Sequence, residues 1–243
     1  MPADGAPAPV LLRLRGLCVA PSPQAAPVLR DIHLDVRAGD RIALLGPSGA
    51  GKTTLLRTLN GFLPPHAGHV VFDSADVGAL RGGALRTLRQ QIGYVAQKHD
   101  LVEPLRVHQN VMAGALGRWS GWRALRFLAW PRRDELDAAA EELGAVGLAH
   151  KLRAPARALS GGEQQRVAIA RAIIQGPRLL LADEPVASLD PGTSAIILGL
   201  LTDIARTRGM AMICSLHQPE LCERFFDRVL RVQGGALHDA ARA

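Results

Sequence analysis

Nine consecutive residues, Gly46, Pro47, Ser48, Gly49, Ala50, Gly51, Lys52, Thr53 and Thr54, separate an apolar run, 41 to 45, from a helix-forming run, 55 to 59. A strand, a glycine-rich turn and a helix in that order constrain the chain to an α/β architecture built on a phosphate-binding loop. Glycines at 46, 49 and 51 let successive backbone N–H groups curl around phosphate oxygens, and the following helix directs its positive end at the same anion. Lys52 is spaced to reach the terminal phosphates and the Thr53 hydroxyl to ligate Mg2+. The predicted occupant is a nucleoside triphosphate. Lysine occurs elsewhere only at 98 and 151 among 29 lysines and arginines, which fits a site that selects a compact ammonium over a planar fork.

A chain of 243 residues can bury one large α/β core, with room for an inserted subdomain. Cys18, Cys214 and Cys222 have no metal-ligand spacing and read as packing residues of a reduced compartment. The N-terminal decapeptide lacks a cationic segment followed by an apolar stretch, and no apolar run is long enough to span a bilayer. A net charge of +7 suits an anionic partner: nucleic acid, nucleotide or a lipid surface. A single tyrosine, Tyr94, and five phenylalanines argue against a base-stacking platform, so no nucleic-acid partner is expected.

Residues 10 to 15 alternate apolar and basic, and Ile32, Leu34 and Val36 alternate with polar neighbours. They predict two half-buried strands of an antiparallel edge sheet, joined by the proline-rich connection 21 to 27. Strand 41–45 and helix 52–60 follow, with Gly61 as its C-cap. Strands are predicted near 69–72 and 92–96. Helix formers then dominate 98–157, which reads as an inserted helical subdomain containing helices 107–116 and 134–148, with Leu136, Leu143 and Val146 on one face. Residues 1–97 and 158–243 make the nucleotide-binding core. Strand 178–183, helix 193–207, strand 210–216, a short helix from Pro219 and strand 228–232 complete an alternating order, hence a mainly parallel sheet.

Arg178-Leu179-Leu180-Leu181-Ala182-Asp183-Glu184 is an apolar strand ending in two carboxylates, the pattern of a buried parallel strand opening on a nucleotide crevice. Asp183 is placed to hold Mg2+ directly or through water, and Glu184 to polarise the water attacking the γ-phosphate. In Leu159-Ser160-Gly161-Gly162-Glu163-Gln164-Gln165-Arg166, Ser160 and Glu163 have capping-box spacing, and the glycines expose the first amides of a helix. An ordinary capped helix accounts for Ser160 and Glu163 but not for the paired glycines. This second phosphate cradle is expected to meet the γ-phosphate held by the Lys52 loop of another copy.

Together, LSGGEQQR, GPSGAGKT and LLLADEP strongly resemble the ATP-binding-cassette ATPases, over almost the entire chain. The resemblance implies a phosphate-loop fold with a mainly parallel core sheet, an antiparallel β edge subdomain and an inserted α-helical subdomain. It also implies ATP with Mg2+ as cofactors. By that likeness Gln97 corresponds to the loop glutamine that touches Mg2+ or the attacking water, Asp190 belongs to a segment crossing the dimer interface, and His217 is the switch histidine near the γ-phosphate. One departure stands out: such cassettes place an aromatic residue before the second strand to stack on adenine, whereas this chain has Cys18-Val19-Ala20-Pro21. Weaker or different adenine packing follows, on aliphatic surface near Pro21 and Val28.

A single phosphate loop and a single signature imply a stand-alone ATPase subunit that dimerises with a second copy and docks on separate transmembrane permease subunits. The finer likeness is to the ATPase of phosphonate importers, carried by residues 110–117, 118–133, 182–191 and 216–218. It implies uptake of phosphonates or related phosphorus oxyanions, delivered by an extracytoplasmic solute-binding protein, with the subunit peripheral on the cytoplasmic face of the membrane. A cassette for another solute, or an exporter, is the competing reading, and a soluble nucleic-acid-associated cassette a more distant one. Residues 118–133 hold all three tryptophans among five arginines. They read either as a surface for a partner or an anionic lipid, or as an insertion packed on its own subdomain.

Overall fold

The computed structural model describes residues 8–22, 24–97, 100–119 and 121–239. Residues 1–7, and with them most of the N-terminal decapeptide, lie outside this set.

Among the described residues, ten strands form two sheets. The first is antiparallel, with the order β2-β1-β4-β5, from β1 (Val10–Val19), β2 (Leu29–Arg37), β4 (Ala67–Phe72) and the short β5 (Ala75–Asp76). Alternation sets its register: Leu12 and Leu14 of β1 face Val36 and Leu34 of β2, all buried, while Arg13 stands opposite Asp35 on the wet face.

The second sheet has the order β10-β9-β3-β8-β7-β6. Its members are β3 (Arg41–Leu45), β6 (Ile92–Val95), β7 (Leu179–Asp183), β8 (Ala211–Leu216), β9 (Arg228–Gln233) and β10 (Ala236–Asp239). Five strands run parallel, and β10 closes one edge antiparallel to β9. Every residue of β7 and β8 is buried, as the unbroken apolar runs demand of strands covered on both faces.

Successive side chains divide between two cores. Ile42, Leu44, Leu179, Leu181 and Ile213 face the antiparallel sheet and the phosphate-loop helix α1 (Lys52–Leu59). Ala43, Leu45, Leu180, Ala182, Met212 and Cys214 face the other way, onto α6 (Gly161–Ile173) and α7 (Pro191–Thr207). That second core continues without a break into α3 (Val107–Ala113), α4 (Gly121–Ala129) and α5 (Arg133–Ala145) through Val111, Phe127, Ala139 and Leu143.

Several local details differ from the sequence expectations. Residues 82–90 form a helix, α2 (Gly82–Gln90), although Gly82 and Gly83 suppress its helical signal. The helix expected over 107–116 ends at Ala113 and tightens into a 3-10 turn, Gly114–Arg118. Asn60 caps α1, and Gly61 takes the left-handed position just beyond, φ +67°. On α5 the buried stripe is Glu135, Ala139 and Leu143, so Leu136 sits at its edge, because the charged Glu135 is drawn inward by arginines. The last helix among the described residues is α8 (Pro219–Phe225), begun by a proline at its first position.

Candidate nucleotide-binding site

The carboxyl ends of β3, β6, β7 and β8 open on one crevice, where ligands bind in open parallel sheets. From β3 the chain enters the phosphate loop. Gly49 and Gly51 adopt positive φ, +78° and +99°, which aims consecutive amides inward. A Cβ on Gly46 would sit 2.9 Å from the Val232 carbonyl oxygen, so the loop can lie against β9 only with glycine there.

Lys52 opens α1 and is almost wholly buried. Its Nζ donates to the carbonyls of Gly46 at 2.7 Å and Pro47 at 3.1 Å, and lies 3.6 Å from Glu184 Oε1 and 3.5 Å from His217 Nδ1. Burial lowers its pKa below that of a free lysine, against the opposing pull of Glu184. The next residue, Thr53, donates its hydroxyl to Asp183 Oδ1 at 2.9 Å.

Asp183 ends β7 buried and accepts from three hydroxyls: Thr53 and Ser215 at Oδ1, each 2.9 Å, and Tyr94 at Oδ2, 3.2 Å. A threonine hydroxyl beside a buried carboxylate is a hard-oxygen donor pair of the kind Mg2+ takes. Glu184 follows with φ +47°, uncommon for a residue with a side chain. Its N–H donates to Ser215 Oγ at 2.9 Å. Its carboxylate approaches His217 Nε2 at 2.5 Å and accepts from Gln97 Nε2 at 3.0 Å. Lys52, Thr53, Gln97, Asp183, Glu184 and His217, from four strand ends, thus meet in one cluster. Val28 lines the cleft beside Pro47, Ser48, Gly49 and Ala50; Pro21, expected to share that aliphatic surface, is not among its lining residues.

Ser160, Gly161, Gly162 and Glu163 stand elsewhere. They line a separate surface pocket with Arg166, Ser188 and Asp190, and that pocket shares no residue with the cleft at Pro47–Ala50. Ser160 accepts the Glu163 N–H while Glu163 accepts the Ser160 N–H, the reciprocal capping box anticipated from the spacing. The Glu163 carboxyl is held below the usual range by that backbone N–H and by Lys151. Asp190 caps α7 through the Thr193 N–H, which places it with the signature pocket rather than with the phosphate loop of its own chain.

Two contributors escaped sequence reasoning. Tyr94 and Ser215 both touch Asp183. A lone hydroxyl inside the apolar run 211–216, two residues before His217, was the available signal for Ser215.

A phosphate loop at the end of a parallel strand, with an acid pair at the end of the next strand but one in the same sheet, defines a phosphate-loop nucleoside triphosphatase. Residues 29–187 match the ABC transporter family model. The "Phosphonates import ATP-binding protein PhnC" of Frankia casuarinae is 47% identical over 209 residues, covering 86% of this chain and 82% of the relative. The protein of the same name from Nitratidesulfovibrio vulgaris is 46% identical over 216 residues, 87% and 80% of the two chains. Among solved structures, an ATP-binding cassette in a dimeric post-hydrolysis state with ADP and Pi superposes with a TM-score of 0.81 at 26% identity, over 96% of this chain and 100% of that one. CbiO1 of Clostridium perfringens, part of the cbiONQ transporter, also gives 0.81, at 28% identity, over 94% and 87%. The chain belongs to the ABC transporter family, as an ATP-binding and ATP-hydrolysing subunit.

Proposed function

We propose that this chain powers the import of phosphonates or related phosphorus oxyanions through separate membrane subunits. The observation that carries the substrate class is the 47% identity to a phosphonate-import ATP-binding protein across most of both chains. No helix among the described residues is long and apolar enough to cross a membrane, which fits a subunit that reaches the bilayer through permease partners at its cytoplasmic face. The cargo would arrive from an extracytoplasmic solute-binding protein. Residues 98–157 act as a helical unit that relays movement, and residues 1–97 with 158–243 as the catalytic core.

The site supports the following division of labour. Backbone amides of Gly46–Thr54 bind the ATP phosphates, with the Lys52 ammonium against the terminal ones. Thr53, Asp183 and Gln97 would hold Mg2+, which supplies charge neutralisation at the β- and γ-phosphates. Glu184 accepts a proton from the attacking water, oriented by His217 and Gln97. Two copies face each other head to tail, so that Ser160, Gly161, Gly162 and Glu163 of one, with Asp190, close on the nucleotide held by the other. Release of phosphate after hydrolysis lets the pair separate.

The test is growth of the host on a phosphonate or phosphite as sole phosphorus source with a chromosomal Glu184→Gln allele. Selective failure, with normal growth on phosphate, is expected. Equal growth would move the assignment to another solute while leaving the ATPase intact.

A further inference from the structure

Of the eight large hydrophobic side chains exposed among the described residues, five fall between Leu116 and Trp130. Trp122 and Trp130 are each 78% exposed, Leu125 64% and Leu128 49%. The same helix is apolar on its inner side too. Phe127 is buried edge-on against Trp119, ring centres 5.2 Å apart, and Ala124 packs on the main core. At 100° per residue, positions 122, 125 and 129 share the outward face of α4, with Leu128 at its border. Apart from Arg123 and Arg126 the helix is apolar on both its inner and its outer side, and an apolar helical face is one that another surface covers. The protein covers one side only.

Charge says what fits the other. Residues 118–133 contain five arginines and no carboxylate. Arg126 turns inward to the buried Glu135, which the half-exposed Arg123 also reaches. Arg118, Arg132 and Arg133 stay exposed and flank the apolar strip at its two ends. The next exposed acids along the chain, Asp134 and Asp137, lie on α5, and Asp137 meets Arg133 only at 4.0 Å in an open, weak pair. Tryptophan is the side chain that settles at headgroup depth, and an apolar helical face rimmed by arginine is the pattern of helices lying in an anionic interface. Trp122 and Trp130 are eight residues apart, about 12 Å along a helix axis, so they anchor a strip rather than a point.

We infer that α4 lies against an anionic lipid surface, Trp122, Leu125, Leu128 and Trp130 entering the headgroup layer while Arg118, Arg132 and Arg133 meet lipid phosphates. The inference deepens the membrane-associated reading above, and rests on it only for a bilayer being within reach. A groove of the permease is the other possible cover. The proposal favours lipid because Arg118, Arg132 and Arg133 at the sequence ends of the strip, with the half-exposed Arg123 within it, make the patch cationic with no exposed acid among residues 118–133, which an anionic surface complements.

All three tryptophans of the chain lie in this segment, so intrinsic emission reports on it alone. The experiment mixes the purified full chain with phosphatidylcholine vesicles, and with the same vesicles containing phosphatidylglycerol. Expected are a blue shift and co-flotation with the anionic vesicles, both lost at high salt. Trp122→Ser with Trp130→Ser should weaken partitioning by on the order of tenfold. Arg118→Gln with Arg132→Gln and Arg133→Gln should abolish the preference for anionic lipid, and ATP hydrolysis should be unchanged in both variants. No shift with either vesicle overturns the proposal, as does a shift seen only when the membrane subunits are added in detergent, which would make the face a protein contact. Either failure leaves ATP hydrolysis and phosphonate growth untouched, so the proposed function is judged separately.

Discussion

Ser215 accepts the N–H of Glu184 at 2.9 Å while donating to Asp183 Oδ1 at the same distance, so one buried hydroxyl on β8 fixes both acids at the end of β7. The pairing of Asp183 with Ser215 across the parallel ladder sets this up. It also explains how Glu184 keeps its left-handed backbone, since a strained residue persists only where its surroundings over-determine it.

Ser215→Ala should therefore lower kcat by on the order of tenfold, with little change in KM for ATP, and raise the Mg2+ concentration needed for half-maximal activity. Stability should fall by about 1–3 kcal/mol, because the Glu184 N–H loses its acceptor. Steady-state kinetics across a Mg2+ series, with urea unfolding alongside, checks both.

Lys52→Ala should reduce ATP binding by on the order of a hundredfold, and Lys52→Arg should not rescue it. The Gly46 and Pro47 carbonyls grip a compact ammonium, and a planar fork does not fit between them. The pH dependence has a defined sign. ATP binds the protonated amine, and burial lowers the Lys52 pKa, so affinity should fall as pH rises through a value below that of an ordinary lysine. Titration calorimetry on the alkaline side measures it.

Glu135 is buried. Burial opposes its ionisation, but the Arg132 N–H and the Arg126 and Arg123 guanidiniums outweigh that and hold its pKa below 4.5. A depressed carboxylate stabilises the fold above its unfolded value, and that contribution is lost as pH falls through the folded one. Glu135→Gln should thus cost about 3 kcal/mol at pH 7 and make unfolding less steep with acid below pH ~4.5. Thermal melts from pH 7 downward, mutant against wild type, show whether the curves converge.

Two helical glycines should respond with opposite signs. A Cβ at Gly114 would stand 1.9 Å from the Arg171 carbonyl oxygen, where the end of α3 crosses α6. Gly114→Ala should cost about 2 kcal/mol or more. A Cβ at Gly144 meets nothing within 4 Å, so Gly144→Ala on α5 should raise stability by about 0.5–1 kcal/mol. Chemical denaturation of both variants tests the contrast.

Much of the site was legible because phosphate chemistry demands particular groups at strand ends. Gly46–Thr54, Asp183 and Glu184 follow from residue type and spacing; Gln97, Asp190 and His217 needed the family likeness, since each alone is an unremarkable polar residue. Ser215 and Tyr94 stayed hidden because their role depends on which strands are neighbours. β6 and β8 flank β7, and order within a sheet is not written along the chain. Helix α2 was masked by Gly82 and Gly83, and β10 is a four-residue edge strand with little alternation. Residues 118–133 pack on their own subdomain only in part. Trp119 and Phe127 turn inward, Trp122 and Trp130 outward, and composition does not fix the helical phase that separates them.

The central claim is that Glu184 drives hydrolysis within a pair of chains closed on ATP, and Glu184→Gln in saturating Mg-ATP tests it most directly. Light scattering after size exclusion should give a dimer that returns to monomer when nucleotide is removed, with hydrolysis reduced by on the order of a hundredfold or more. A Glu184→Gln protein that binds ATP yet remains monomeric, or hydrolyses it at the wild-type rate, would contradict the account.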